Sequence, residues 1–223
     1  MIGEAGRADA GAFLARLVRL DPAALVRLRP LDAGRAEMWA MLPFGVLVMR
    51  TLGVPVDADA TVEARALLDG VRDGFPGPPR RRDEAWRWAL PPSRGRVVET
   101  VPAAEIVRVA TAASSTLREA AGGGIGGRPV GERILRDALL DHVPIVVTGP
   151  PGERVDVPQR LVQAIVRMGF LGRSDATLGE ESIAVRVAGT WIGLAAPYGS
   201  AWYRPISPLR MNRGVDVGVR PFR

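Results

Sequence analysis

No cysteine occurs anywhere in the chain, which excludes disulfides, thiolate nucleophiles, Cys-ligated zinc and iron–sulfur clusters and leaves the fold to stand on its core. Lysine is absent as well, all 30 basic residues being arginine. P-loop, protein-kinase, pyridoxal-phosphate and Schiff-base chemistry all need that amine, so those classes fall together. One histidine, His142, cannot build a multi-histidine metal site. Asparagine occurs once, at Asn212; its scarcity, with that of lysine, is a codon signature that points to a high-GC bacterial source. Long hydrophobic runs are missing too. The most apolar stretch, Met38 to Met49, is about twelve residues and is interrupted by Pro43-Phe44-Gly45, whereas a membrane-spanning helix needs about 20. It is read as core, and no membrane partner is expected. The opening Met1-Ile2-Gly3-Glu4-Ala5-Gly6-Arg7 has an acid where a signal peptide needs positive charge, so the cytoplasm is the expected location.

What is present is ordinary for a folded protein: 47% hydrophobic and 24% charged residues over 223 positions, enough for one large domain or two small ones. Asp9 can cap a helix carrying Phe13, Leu14, Leu17 and Val18 on one face, ended by Asp21-Pro22. Val26 to Arg29 and Glu37 to Thr51 read as strands, the second run broken at its middle by a Pro-Phe-Gly turn. Asp57 to Thr61 offers caps for a helix holding Val62, Ala66 and Leu67 and closed by Asp69-Gly70. After Val97-Val98 a helix from near Pro102 spaces Ile106, Val109, Ala113 and Leu117 along one face. A further helix, Gly131 to His142, turns Ile134, Leu135, Ala138 and Leu139 inward. Gly149-Pro150-Pro151-Gly152 joins a hairpin, a helix follows Pro158, and Ile183 to Val187 and Trp191 to Tyr203 are the last strands. The expected fold is α+β, antiparallel hairpins packed with four or five amphipathic helices. The expected division is an N-terminal half 1–72, a Pro/Arg-rich linker 73–96, a C-terminal half 97–205 and a basic tail 206–223.

An internal similarity joins the halves. Val26-Arg27-Leu28, Ala33-Gly34, Trp39, Leu42, Pro43-Phe44-Gly45 and Arg50 match in order Val185-Arg186-Val187, Ala188-Gly189, Trp191, Leu194, Pro197-Tyr198-Gly199 and Arg204. Either one hairpin is used twice, giving two related halves, or an Arg-, Val- and Gly-rich sequence has produced a coincidence; the second reading is favoured. The stretch Val157-Pro158-Gln159-Arg160-Leu161 to Met168-Gly169-Phe170-Leu171, with Trp191 to Ser200, resembles uncharacterised proteins of high-GC actinobacteria. That resemblance implies a source and carries no activity or site residues.

The polar motifs mostly read as structure. His142 lies in a last helical turn, where it complements the helix dipole, and Asp141 beside it points about 100° away, so no catalytic pair forms. Gly122 to Gly127 satisfies G-x-G-x-x-G, but a helix precedes it where a dinucleotide site needs a strand. Asp57, Asp59 and Glu63 are acids ahead of a helix, more often caps than metal ligands. No metal and no cofactor is expected. Arg160, Gln163 and Arg167 share a helix face that reads as solvated.

Charge is uneven. Between 73 and 96, Arg80, Arg81, Arg82, Arg87, Arg94 and Arg96 stand against Asp73, Asp83 and Glu84, a net of +3. From 206 onward Arg210, Arg213, Arg220 and Arg223 stand against Asp216, again +3, so the two segments hold the whole +6. They read as basic, mobile appendages to a neutral body. Arg80-Arg81-Arg82 with Trp86, Arg87 and Trp88, together with Arg94, Arg96, Arg210 and Arg213, are the candidate nucleic-acid or anion contacts, because guanidinium groups pair phosphates and indoles stack bases. The favoured reading of 73–96 is a linker with an anchoring segment, arginines on a solvated loop whose tryptophans pack back on the core. The favoured function is a non-catalytic, self-associating interaction protein with a protein partner; the alternative is a nucleic-acid-binding regulator, and an enzyme using carboxylates or an anion pocket comes third.

Overall fold

Period-two alternation builds the frame. In β1 (Leu25–Asp32) Val26 is fully buried on one face while Arg27 and Arg29 point to the other. β2 (Arg35–Met41), β3 (Leu47–Leu52) and β4 (Ala60–Glu63) continue the sheet. The computed structural model describes residues 4–32, 34–53, 55–73, 79–92, 94–123, 132–150, 152–172 and 181–205. β5 (Arg96–Pro102), β8 (Ser182–Ala188), β9 (Trp191–Ala196) and β10 (Gly199–Tyr203) complete an eight-stranded antiparallel sheet of order β4-β1-β2-β3-β10-β9-β8-β5. β6 (Ile145–Gly149) and β7 (Glu153–Val157) form a separate hairpin across the expected Gly-Pro-Pro-Gly turn, where the Gly152 amide donates to the Gly149 carbonyl at 2.6 Å.

Five helices are described, which makes the fold α+β as expected. α1 (Glu4–Leu20), α2 (Ala64–Arg72), α3 (Ala103–Gly123) and α5 (Gln159–Arg167) cover one face of the sheet, and α4 (Glu132–Asp141) packs beside α3 and α5. Their apolar stripes account for this: Phe13, Leu14 and Leu17 of α1, Leu67 and Leu68 of α2, Ile106 of α3 and Leu161, Val162 and Ile165 of α5 are all buried, and the Phe13 and Phe170 rings stack at 6.2 Å.

The internal similarity coincides with repeated topology. α1-β1-β2-β3 and α5-β8-β9-β10 are each a helix followed by a three-stranded meander, and β3 and β10 pair at the centre, with Met49 opposite Ser200 and Leu47 opposite Trp202. Pro43-Phe44-Gly45 joins β2 to β3 as Pro197-Tyr198-Gly199 joins β9 to β10. The individual side chains diverge. Arg50 pairs with Asp9 beneath the helices, whereas Arg204 lies over the Trp191 ring on the opposite face.

Several local expectations are corrected. Asp9 is not a cap: α1 begins five residues earlier, through the good helix former Ala8, and the Asp9 carboxylate pairs with Arg50 from mid-helix. Asp57 and Asp59 cap no helix either, because Ala60 to Glu63 pairs with β1 as β4 and Val62 becomes a strand residue; α2 starts at Ala64 and runs past Asp69-Gly70 to Arg72. Asp59 and Glu63 are spent on Arg27 and Arg82, and no cluster of metal-ligating residues occurs among the described residues. In α4, Ala138 is exposed while Leu139 is half-buried; Ile134, Leu135 and most of Gly122 to Gly127 lie outside the described residues or side chains. His142 is exposed, its amide donating to the Ala138 carbonyl at 3.1 Å to close the helix. Arg160 is not solvated: its side chain is 15% exposed, bonds the Phe44 carbonyl at 2.6 Å, pairs with Asp141 and lies 4.7 Å over the Tyr203 ring, because α5 is wedged between the β2–β3 turn and α4. Among the described residues no helix is long and apolar enough to cross a membrane.

Candidate functional site

The helix-free face of the sheet gathers every tryptophan in the chain. Trp39 on β2, Trp191 on β9 and Trp202 on β10 are buried there with Leu47 and Ala188, and Trp86 and Leu90 pack onto them from outside. Gly193 makes this possible: a Cβ at that position would meet the Trp202 ring at 2.5 Å, so only glycine admits the indole.

Trp86 and Leu90 belong to the segment expected as a linker with an anchoring part. Residues 79–92 instead form a strap that crosses the sheet from edge to edge. At the β4 edge the Arg82 amide donates to the Thr61 carbonyl and the Thr61 amide to the Asp83 carboxylate, each at 2.7 Å, and Arg81 reaches the Asp59 carbonyl at 2.7 Å. The Thr61 amide, followed by the Arg81 guanidinium, holds the Asp83 carboxyl below its ordinary range. A single 3-10 turn, Asp83–Ala85, leads to Trp86, whose Nε1 donates to the Trp88 carbonyl at 2.7 Å. The two indoles meet edge to face at 5.0 Å, and Arg27 sits 5.9 Å over Trp86. Arg27 is held in place by Asp59, whose hydrogen bond raises the guanidinium pKa further. At the far edge Arg186 of β8 donates to the Arg94 and Gly95 carbonyls at 3.2 and 3.3 Å. Gly95 has a φ of 70°, and a Cβ there would strike the Val187 carbonyl at 2.7 Å. Packing the half-buried Trp86 and Leu90 on the sheet outweighs the freedom a Pro/Arg-rich segment has in isolation, and Trp86 packs back on the core as expected.

Grooves open at both ends of the strands, and the second wraps round the strand ends to reach Asp9 and Arg50 on the helix side. Where β2 and β10 end, a groove of about 630 Å3 is lined by Met41, Pro43, Arg87, Trp88, Trp191 and Arg204, with Asp21 also lining it. Trp88 is 36% exposed, and Arg204 lies 5.4 Å over Trp191. Where β3 ends and β10 begins, a second groove of about 830 Å3 carries Arg50, Arg94, Arg186, Tyr198 and Ser200.

The structure sorts the sequence candidates. Arg81 pairs with Asp83, Arg82 with Glu63, and Arg96 with Glu153, so their charge is already met. Trp86 faces inward. Arg80, Arg87 and Arg94 are exposed and have no acid partner among the described residues, and Trp88 lines the first groove. Arg210 and Arg213 lie outside the described residues. Trp191, Arg204 and Arg186, which complete the grooves, were not among the sequence candidates; the one available signal was their place in the internal similarity.

The fold is similar to part of the bacterial sliding clamps. The chain superposes on the DNA polymerase III subunit beta of Pseudomonas aeruginosa with a TM-score of 0.52 at 10% identity, covering 91% of this chain and 64% of that one. For the C. crescentus beta sliding clamp the values are 0.52, 12%, 91% and 64%, and for the beta subunit of Thermotoga maritima 0.51, 11%, 91% and 63%. These identities show a shared fold alone, and the chain spans less than two thirds of each clamp. By sequence, residues 90–208 match a domain of unknown function, DUF8185, and the chain belongs to that family; residues 1–88 match a second, DUF8010. No curated protein sequence matches the chain. The two matches meet within the strap, and the β3–β10 pair joins their strands into one sheet.

Proposed function

We propose that the chain is a non-catalytic interaction protein that docks a protein partner, a second copy of itself first of all, against the strap face. The observation that carries this reading is the first groove: Met41, Arg87, Trp88, Trp191 and Arg204 are the residue types in which interfaces are enriched, and Trp and Arg anchor their energetic centres. A clamp-like sheet is a rigid frame that holds such a surface in one geometry. Sedimentation velocity across micromolar concentrations, with wild type beside a Trp88→Ala/Arg204→Ala variant, tests it. Association in the wild type that the variant loses is the expected result. Association unchanged in the variant, or absent from both, sinks self-docking at this groove.

Nucleic-acid binding is the second reading, favoured by the lack of acid partners at Arg80, Arg87 and Arg94 beside a partly exposed indole. It predicts binding of labelled single strands whose affinity falls steeply between low and moderate salt; flat salt dependence removes it.

A further inference from the structure

The second groove presents two arginines whose charge nothing nearby meets. Asp9 lines it, but that carboxylate is taken by Arg50. Arg94 has no acid partner among the described residues, and neither has Arg186, whose Nη1 bonds two carbonyls while its Nε is buried with no hydrogen-bond partner. An orphaned buried guanidinium donor is costly unless something supplies an acceptor. The surroundings say what kind of acceptor. Arg186 is fixed on β8, opposite Val97 of β5, so its planar fork is presented from a rigid strand. Thr51 and Ser200 line the same groove, and Tyr198 exposes 47% of its surface at the rim, steadied by Arg50 5.5 Å over its ring. A volume of about 830 Å3 is far more than an inorganic anion fills and falls in the range of about 300 to 1,000 Å3 of organic ligand sites.

We infer that this groove binds a phosphorylated nucleoside, its phosphate on Arg94 and Arg186 and its base on Tyr198, either as a free nucleotide or as one unit of a single strand. Guanidinium forks match phosphate oxygens, and aromatic faces accept any base. The inference is independent of protein docking, which uses the groove at the other end of the strands.

Calorimetric titration of the full chain with adenosine 5′-monophosphate, adenosine, inorganic phosphate and a short oligothymidylate tests it. The monophosphate is expected to bind roughly tenfold or more tightly than adenosine or phosphate alone, and Arg94→Ala and Arg186→Gln each to weaken it by a similar factor, one charge-assisted hydrogen bond being worth about that much. Arg94 is exposed, so its replacement leaves the fold intact. Arg72→Ala, exposed at the end of α2 and lining neither groove, is expected to leave the affinity unchanged. Tighter binding of the oligonucleotide than of the mononucleotide identifies a single strand as the source, and the reverse a free nucleotide. No binding of either at millimolar concentration, or binding that Arg94→Ala and Arg186→Gln leave intact, overturns the inference.

Discussion

The two faces of the sheet are built from different materials. Beneath the helices lie mostly aliphatic side chains and two stacked phenylalanines, with one pocket of about 350 Å3 beside α1 and α2; beneath the strap lie tryptophans, methionines and arginines, with grooves at both strand ends. The first face is filled by elements whose own amphipathic pattern requires burial. The second is covered by an irregular segment that packs at Trp86 and Leu90 and is pinned at its ends by hydrogen bonds. The same sheet thus has one face committed to stability and another with side chains to spare for recognition.

That contrast can be broken most sharply from the helix side. Phe170→Ala, removing a fully buried ring stacked on Phe13, should cost about 3 to 5 kcal/mol in urea unfolding. On the strap side, Gly193→Ala should cost about 1 to 3 kcal/mol, because the new Cβ overlaps the Trp202 ring; the loss should shrink in Gly193→Ala/Trp202→Leu, and an undiminished loss would mean that the backbone of β9 rather than the indole is at fault. Trp88→Ala should stay within about 0.5 kcal/mol of wild type, as a surface position, while abolishing association.

The smallest effect is local to the strap anchor. The Asp83 carboxyl titrates below the ordinary 3.8, because the ionised form accepts the Thr61 amide and the Arg81 guanidinium. A depressed folded value means that its contribution is complete above the ordinary range and is lost as pH falls through the folded value. Tryptophan emission should therefore be constant down to about pH 4 and shift red only below 3.8 as Trp86 lifts from the sheet. Asp83→Asn should move that shift to neutral pH without altering the main unfolding transition. An emission unchanged in Asp83→Asn would show that packing at Trp86 and Leu90 holds the strap unaided.

Much of this was written in local sequence. Phe13 to Val18 dictates the buried stripe of α1, Pro43-Phe44-Gly45 the β2–β3 turn, and Gly149 to Gly152 the separate hairpin, because each rests on periodicity or backbone conformation that a few neighbouring residues settle. The elements of the two meanders were legible in the matching order of Val-Arg, Trp and Pro-aromatic-Gly. Their pairing across β3 and β10 was not, because that contact joins residues some 150 positions apart.

What the sequence determined by itself was the material: a chain without thiols or amines, with helical stripes, alternating strands and its charge concentrated in arginine. The tertiary structure decided the use. Pairing with β1 turned Ala60 to Glu63, predicted as the start of a helix, into a strand, packing of Trp86 and Leu90 turned the predicted linker into a strap, and the meeting of two distant meanders placed Arg87 and Trp88 beside Trp191 and Arg204. In each case a long-range contact outweighed a local preference worth a fraction of its energy, and no short window of sequence contains both partners of such a contact.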